Sequence, residues 1–287
     1  MASQNVPVKP FVGSVMGVRG DFTGLDVSTP NVARMYDYYL GGLASFAVDR
    51  AAAERVLVHL PHQRRSAEEN RRFLGRAVQF LAGPQCGIDQ FLDIGSGLPT
   101  TRSVHEMARA VNPAARVGYV DYDPLVVSHG KAMLAEPGCS VMVEADLRDP
   151  VGLLSHPDIR GHLDFSRPVG MLLVNVLHWV ADSASPRRVL SVLRDAAAPG
   201  SYLVLTHGSM DLVANKDAAR RAAQVYDHAN ARLRPRSRLQ VARLFDGWRL
   251  LEPGLVPKHQ WRPDPGSGPM PFDYSWAGVA VKDLFRR

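Results

Sequence analysis

A short apolar run that stops at two glycines constrains this chain more than any other feature: residues 91–97 read Phe-Leu-Asp-Ile-Gly-Ser-Gly. Apolar residues at successive positions suit a strand covered by helices on both faces. Gly95 and Gly97 let the chain turn sharply and bring its backbone close to a ligand. Beyond the turn, Val104, Met107, Ala108 and Val111 fall at helical spacing, which predicts a helix over 101–111. A second run, Val117-Gly118-Tyr119-Val120-Asp121, predicts another strand, ending in a carboxylate 24 positions after Gly97. Nucleotide-binding βαβ units place there the acid that accepts from ribose hydroxyls. The third glycine of the dinucleotide fingerprint is absent and Pro99 stands nearby, so the turn suits a ligand without a pyrophosphate better than NAD.

The rest of the chain alternates in the same grammar. Strands are predicted over 141–144, 169–176 and 202–206, with helices over 124–134 and from Ser185-Pro186 to Pro199-Gly200. Strands alternating with helices make a mostly parallel sheet with right-handed crossovers. Longer helices are expected over 215–233 and 239–245, and two short β-like runs, 248–251 and 278–281, close the chain. Ahead of the first strand the pattern is wholly helical. Thr29 and Pro30 read as cap and first turn of a helix carrying Tyr36, Tyr38 and Tyr39, with Tyr36 and Tyr39 on one face. A second helix covers 47–59, and Ser66-x-x-Glu69 reads as the capping box of a third that closes at Gly83-Pro84. The domain reading is therefore an arm over 1–27 that could fold back over the site, a helical cap over 28–84, and an α/β domain over 85–287.

With 287 residues, 46% of them hydrophobic, the chain can bury one large core. Cys86 and Cys139 are too few for a disulfide framework and lack metal-ligand spacing, so no metal is expected. The first residues do not read as a leader, and the apolar run 169–180 is too short to span a bilayer, which predicts a cytoplasmic protein with no membrane partner. A net charge of +6 permits RNA binding, and Arg232, Arg234, Arg236, Arg238 and Arg243 cluster. No aromatic residues interleave with them, so they read as a solvated helix surface and no nucleic-acid partner is expected.

Asp93-x-Gly95-x-Gly97, then Val120-Asp121-Tyr122-Asp123-Pro124, then Glu144-Ala145-Asp146-Leu147 resembles the ordered signature of class I S-adenosylmethionine (SAM) methyltransferases. More narrowly, residues 36–42, 91–100 and 252–264 resemble an actinobacterial methyltransferase family. The resemblance implies a Rossmann-like sheet, mostly parallel with a C-terminal antiparallel hairpin, plus an N-terminal helical cap. It implies SAM as cofactor, with Asp93, Gly95, Ser96 and Gly97 at the amino-acid end, Asp121 on the ribose, and Tyr122, Asp146 and Leu147 around the adenine. Tyr36 and Tyr39 would then flank the sulfonium, and Asn175 would stand at the ligand-binding end of the central strand. His178 is a candidate proton acceptor, with substrate orientation as the alternative role. For the N1 proton of an indole acceptor, Tyr39, Asp37 and His178 are the candidate bases.

Some members of that family methylate C3 of indole in tryptophan-derived cyclic dipeptides. After Gly42 the family usually carries a polar run, where this chain has Leu43, Ala44 and Ser45. An apolar replacement there, with Trp179 and the three tyrosines, suits a small aromatic acceptor. An RNA methyltransferase and a catalytically silent SAM-binding regulator stand as alternatives. The missing third glycine predicts calorimetric binding of SAM in the micromolar range and none of NAD, and tight NAD binding without a SAM signal would reverse the reading.

Overall fold

In a computed structural model, which describes residues 26–100, 102–268, 270 and 272–283 and the backbone of 14–15 and 18–19, three helices precede the main sheet. Strands β1 (Ser14–Val15) and β2 (Val18–Arg19) pair antiparallel, and most of the expected 1–27 arm lies outside the described residues. Helix α1 (Val32–Tyr39) is capped by Asn31, whose side chain accepts from the N–H groups of Ala33 and Arg34. The expected Thr29 cap is not used: its carbonyl accepts from the Arg34 guanidinium at 2.9 Å. Asparagine is the stronger cap, and its later position leaves Pro30 outside the helix. Helix α2 (Ala47–His59) matches its predicted span. Helix α3 (Gln63–Ala82) starts before the expected cap, and Ser66 and Glu69, inside it, bond to other side chains. Ser66 Oγ accepts from the buried Lys258 ammonium at 2.8 Å, and Glu69 pairs with Arg76 at 2.8 Å.

Strand β3 (Gln90–Ile94) is buried along its whole length, with Phe91 in one apolar core and Leu92 and Ile94 in the other. Next come α4 (Val104–Arg109), β4 (Arg116–Asp121), α5 (Pro124–Met133) and β5 (Ser140–Glu144). Arg102 takes a φ of 63°, outside the helical region, so α4 begins later than predicted, at the capping box of Ser103 and Glu106. Then follow α6 (Pro150–Ser155), α7 (Pro157–His162), β6 (Gly170–Val174), α8 (Pro186–Ala196) and β7 (Tyr202–Gly208). Strand order is β5-β4-β3-β6-β7, all parallel.

The long helix predicted over 215–233 stops early, as α9 (Lys216–Val225). Beyond it the side chains turn to partners in the N-terminal helices and the sheet. The Tyr226 and Tyr39 hydroxyls lie 3.0 Å apart, Asn230 accepts from the Val32 N–H at 2.9 Å, and the Arg234 N–H donates to the His178 carbonyl at 2.7 Å. Of the five clustered arginines, Arg232, Arg234, Arg238 and Arg243 are exposed as expected, whereas Arg236 is buried. Helix α10 (Arg238–Ala242) precedes β8 (Arg249–Leu250), β9 (Val256–Pro257) and β10 (Ser275–Val281). Strand β10 runs antiparallel to β7 on one side and to β8 and β9 on the other. The sheet is that of class I methyltransferases, with the expected antiparallel strand at its C-terminal end. Among the described residues no helix is long and apolar enough to cross a membrane.

One buried ion pair holds the start of α1 to α2. Arg34 Nε lies 2.7 Å from Asp49, which also accepts from the N–H groups of Asn31 and Phe46, each at 2.8 Å. Both side chains are almost fully buried. Removing one partner strands the other charge, so Asp49→Ala is expected to destabilise the fold by about 3–5 kcal/mol in chemical denaturation. A loss below about 1 kcal/mol would show that the pair is not holding the helices together.

Candidate functional site

The glycine turn leaving β3 is held by the neighbouring strand. The N–H groups of Gly95 and Ser96 donate to the Val120 carbonyl, and the Gly97 N–H donates to Asp121 Oδ2 at 3.0 Å. Gly95 has a φ of 71°, and a Cβ there would come within 2.4 Å of Val176 Cγ2, so no other residue fits. The other oxygen of Asp121 accepts from the Asp123 N–H at 3.0 Å. Each carboxylate oxygen still has a lone pair for a ligand hydroxyl. Burial raises the Asp121 carboxyl above its ordinary value.

Asp93 lies beside the turn, 6% exposed, and its carboxyl makes no hydrogen bond among the described residues. Burial lifts its carboxyl to about 7, against the pull of the Arg71 guanidinium and with a smaller push from Asp121. Arg71, on α3, lines the same cavity and donates to the Arg102 carbonyl at 2.9 Å. Among the described residues lining the cavity, it is the single arginine, and none is a lysine. Sequence reasoning missed it because it sits in a run of arginines with nothing to single it out.

Opposite the turn, polar side chains join α1 and α3 to the sheet. Asn70 donates to the Tyr36 hydroxyl at 3.0 Å, and Thr206 Oγ1 donates to Asn70 Oδ1 at 2.9 Å. The Asn175 N–H donates to Thr206 Oγ1 at 2.9 Å, and Asn175 has a φ of 59° at the end of β6. Such left-handed backbone is strained and needs surrounding support. Further along, Tyr39, Tyr226 and Trp179 line the wall, with the Trp179 and Tyr226 rings 5.1 Å apart.

Two of the three candidate bases, Tyr39 and His178, line the cavity in neutral form. Burial raises the Tyr39 phenol above its ordinary range, and its hydroxyl shares a hydrogen bond with Tyr226. Burial, helped by His207, Arg236 and Lys258, holds His178 well below its ordinary value, so the ring is neutral. Its Nδ1 accepts from the Gly208 N–H at 3.2 Å, which leaves the proton on Nε2.

Cavity-lining residues thus include Tyr36, Tyr39, Asp93, Gly95, Ser96, Gly97, Asp121, Tyr122, Asn175 and His178. Asp146 and Leu147 are not among them. Both oxygens of Asp146 accept from Arg148, and Leu147 is packed in the core. Asp37 accepts from the Ala44 N–H at 2.9 Å and is likewise not among the lining residues. Leu43, expected to make the site apolar, is 82% exposed, and Tyr38 turns its hydroxyl to Glu54. The backbone of 41–45 is folded around Asp37, which points Leu43 to solvent.

A family model described as S-adenosyl methyltransferase matches residues 20–283. A protein from Thermobifida fusca, described as a candidate methyltransferase, is 42% identical over 91% of this chain and 97% of its own, with a TM-score of 0.82. A DUF574 family protein from Streptomyces avermitilis is 34% identical over 90% of this chain and 99% of its own, with a TM-score of 0.84. No curated protein matches the chain.

Asp93 makes the free protein sensitive to pH. Unfolded, it ionises near 3.8; folded, near about 7. Between those values the native state holds the extra proton, so stability falls as pH rises through that window, and Asp121 acts in the same direction. Asp93→Asn is expected to flatten the decline between about pH 4 and 8 by a few kcal/mol, because each tenfold difference in proton affinity between the folded and unfolded chain is worth roughly 1.4 kcal/mol. Parallel curves for the two proteins, measured by denaturant titration, would contradict this.

Proposed function

Because the chain belongs to this S-adenosyl methyltransferase family, and is a SAM-dependent methyltransferase, we propose that its cavity joins the methyl donor to a flat, uncharged aromatic acceptor. The carrying observation is the division of the lining. Asp93, Asp121 and Arg71 stand at the glycine-turn end, and Tyr39, Trp179, Tyr226 and apolar side chains form the other wall. The residues at the first end fit the cofactor. Asp93, buried without a hydrogen-bond partner, suits an ammonium, Arg71 a carboxylate, and Asp121 two ribose hydroxyls. Tyr122 would cover one face of the adenine, and Tyr36 would stand toward the sulfonium. When bound, SAM supplies an electrophilic methyl group on a cationic sulfur.

This chain's residues hold an acceptor in line and exclude water rather than remove a proton beforehand. His178 presents an N–H to the cavity side, Tyr39 shares its hydroxyl with Tyr226, and neither is set up as a base. A nucleophile with an available electron pair suits such a site, and the enamine carbon of an indole is one. C3 forms the new carbon–carbon bond as the carbon–sulfur bond breaks, and the cationic ring nitrogen then releases its N1 proton. An indole-bearing cyclic dipeptide, neutral throughout, is our specific acceptor, supported by the resemblance of motifs and by the aromatic wall.

Incubation with methyl-labelled SAM and a tryptophan-containing cyclic dipeptide should give a product carrying one added methyl with a carbon-bound resonance. An N- or O-methyl resonance would overturn carbon methylation. Tyr39→Phe and His178→Asn should each lower kcat/KM by about 3- to 10-fold, the loss of one neutral hydrogen bond. A drop of about 100- to 10,000-fold would instead mark a general base.

A further inference from the structure

His178 and Trp179 lie on a 3₁₀ turn, Leu177–Trp179, at the carboxyl end of β6, and one buried side chain grips both ends of that turn. Arg236 is 7% exposed. Its Nη1 donates to the Leu177 carbonyl at 3.0 Å and its Nη2 to the Val180 carbonyl at 3.0 Å. Nη2 also meets Asp182 at 2.6 Å, and Nη1 meets His207 Nε2 at 2.9 Å. A guanidinium is donor-only, so His207 Nε2 must accept, and the His207 proton must sit on Nδ1. That nitrogen faces the Gly208 carbonyl at 2.8 Å, the geometry of a donated bond. The Gly208 N–H in turn donates to His178 Nδ1 at 3.2 Å. The proton of His178 is left on Nε2, which makes no hydrogen bond among the described residues, and His178 lines the cavity.

We propose that Arg236 and His207 are positioning residues that hold the His178–Trp179 turn and set His178 as an Nε2–H donor toward the methyl acceptor. The assignment rests on the reading of this cavity as the methyl-transfer site, and it adds a tautomer and the side chains that impose it. Arg236 fixes where the turn sits, and the imidazole at 207 ties Arg236 to the strand whose next residue orients His178. Trp179 shares the grip, its ring 4.7 Å from that of His178. The charged and titratable groups facing the two imidazoles are Arg236 and Lys258 for His178, Arg236 and Asp182 for His207, and each imidazole for the other. Loss of the Arg236 charge therefore lets both rings titrate higher, although burial, the larger cause, keeps them below the ordinary range.

Two-bond proton–nitrogen correlation spectra of the full chain with nitrogen-15 histidine test this without any methyl acceptor, so the result stands apart from the identity of the substrate. Signals are assigned by their absence in His178→Asn and His207→Gln. At pH 7 we expect His207 as the Nδ1–H tautomer and His178 as the Nε2–H tautomer. In Arg236→Met the His207 Nε2 signal should shift and its titration midpoint should rise from about 4, the Gly208 carbonyl still holding the Nδ1–H, while SAM affinity stays within about twofold. Arg236→Lys serves where the methionine variant does not fold, since one ammonium cannot keep both carbonyls and the imidazole. A wild-type His178 protonated at Nδ1, or cationic at pH 7, overturns the proposal. So do unchanged imidazole signals in a folded Arg236 variant.

Discussion

The bond from the Gly97 N–H to Asp121 is the constraint on which the site depends. It ties the ends of two parallel strands together through a side chain, and it is reachable only because the turn passes through left-handed backbone at Gly95 and Gly97. The turn in turn places Asp93, Asp121 and the adjoining backbone at the carboxyl edge of the sheet, where open α/β sheets bind ligands. Both carboxylates are removed from water there, so their ionised forms gain most from a cationic or hydroxylated ligand.

Buried polar bonds, neutral ones and one ion pair, support the opposite half of the cavity. Tyr36, Asn70, Thr206 and Asn175 form a chain from α1 to the centre of the sheet, and Lys258 and Asp273, 3.1 Å apart and buried, tie the last strand's approach to Ser66 on α3. Buried polar groups satisfied in this way fix one arrangement, because breaking a single bond leaves its partner without water or protein. Asn31 adds a bond to Asp123, so the start of α1 is anchored on the loop that follows Asp121. The N-terminal helices are therefore part of the cavity's wall.

Charge is divided along the cavity in a way that matches the chemistry of the family. The carboxylates and Arg71 gather at one end, and aromatic faces stand at the other. A sulfonium between them is favoured by those faces by about 0.5–2 kcal/mol. The Tyr39 phenol and the His178 imidazole stand on the same lining, and burial is what keeps them neutral.

Much of this was readable from local pattern. The run 91–97, the carboxylate at 121, the helix over 47–59 and the order of strands follow from hydrophobic period and glycine chemistry, which act within a few residues. Other positions misled because their partners are far away in the chain. Ser66 and Glu69 have the spacing of a cap, yet Lys258, far along the chain, claims the serine; residues 226–233 belong to the predicted helix, yet Tyr226 and Asn230 bond to Tyr39 and Val32 beyond the end of α9. Leu43 faces solvent because Asp37 folds the preceding loop, and Asp146 is taken by Arg148. By itself the sequence determined the strands, the glycine turn and the acids at its edge, Asp93 and Asp121, since each is set by neighbours along a strand. Tertiary structure alone decided that Arg71 faces Asp93, that Arg236 is buried beneath the His178 turn, and which nitrogen of His178 carries its proton, because those depend on groups brought together only by the closed fold.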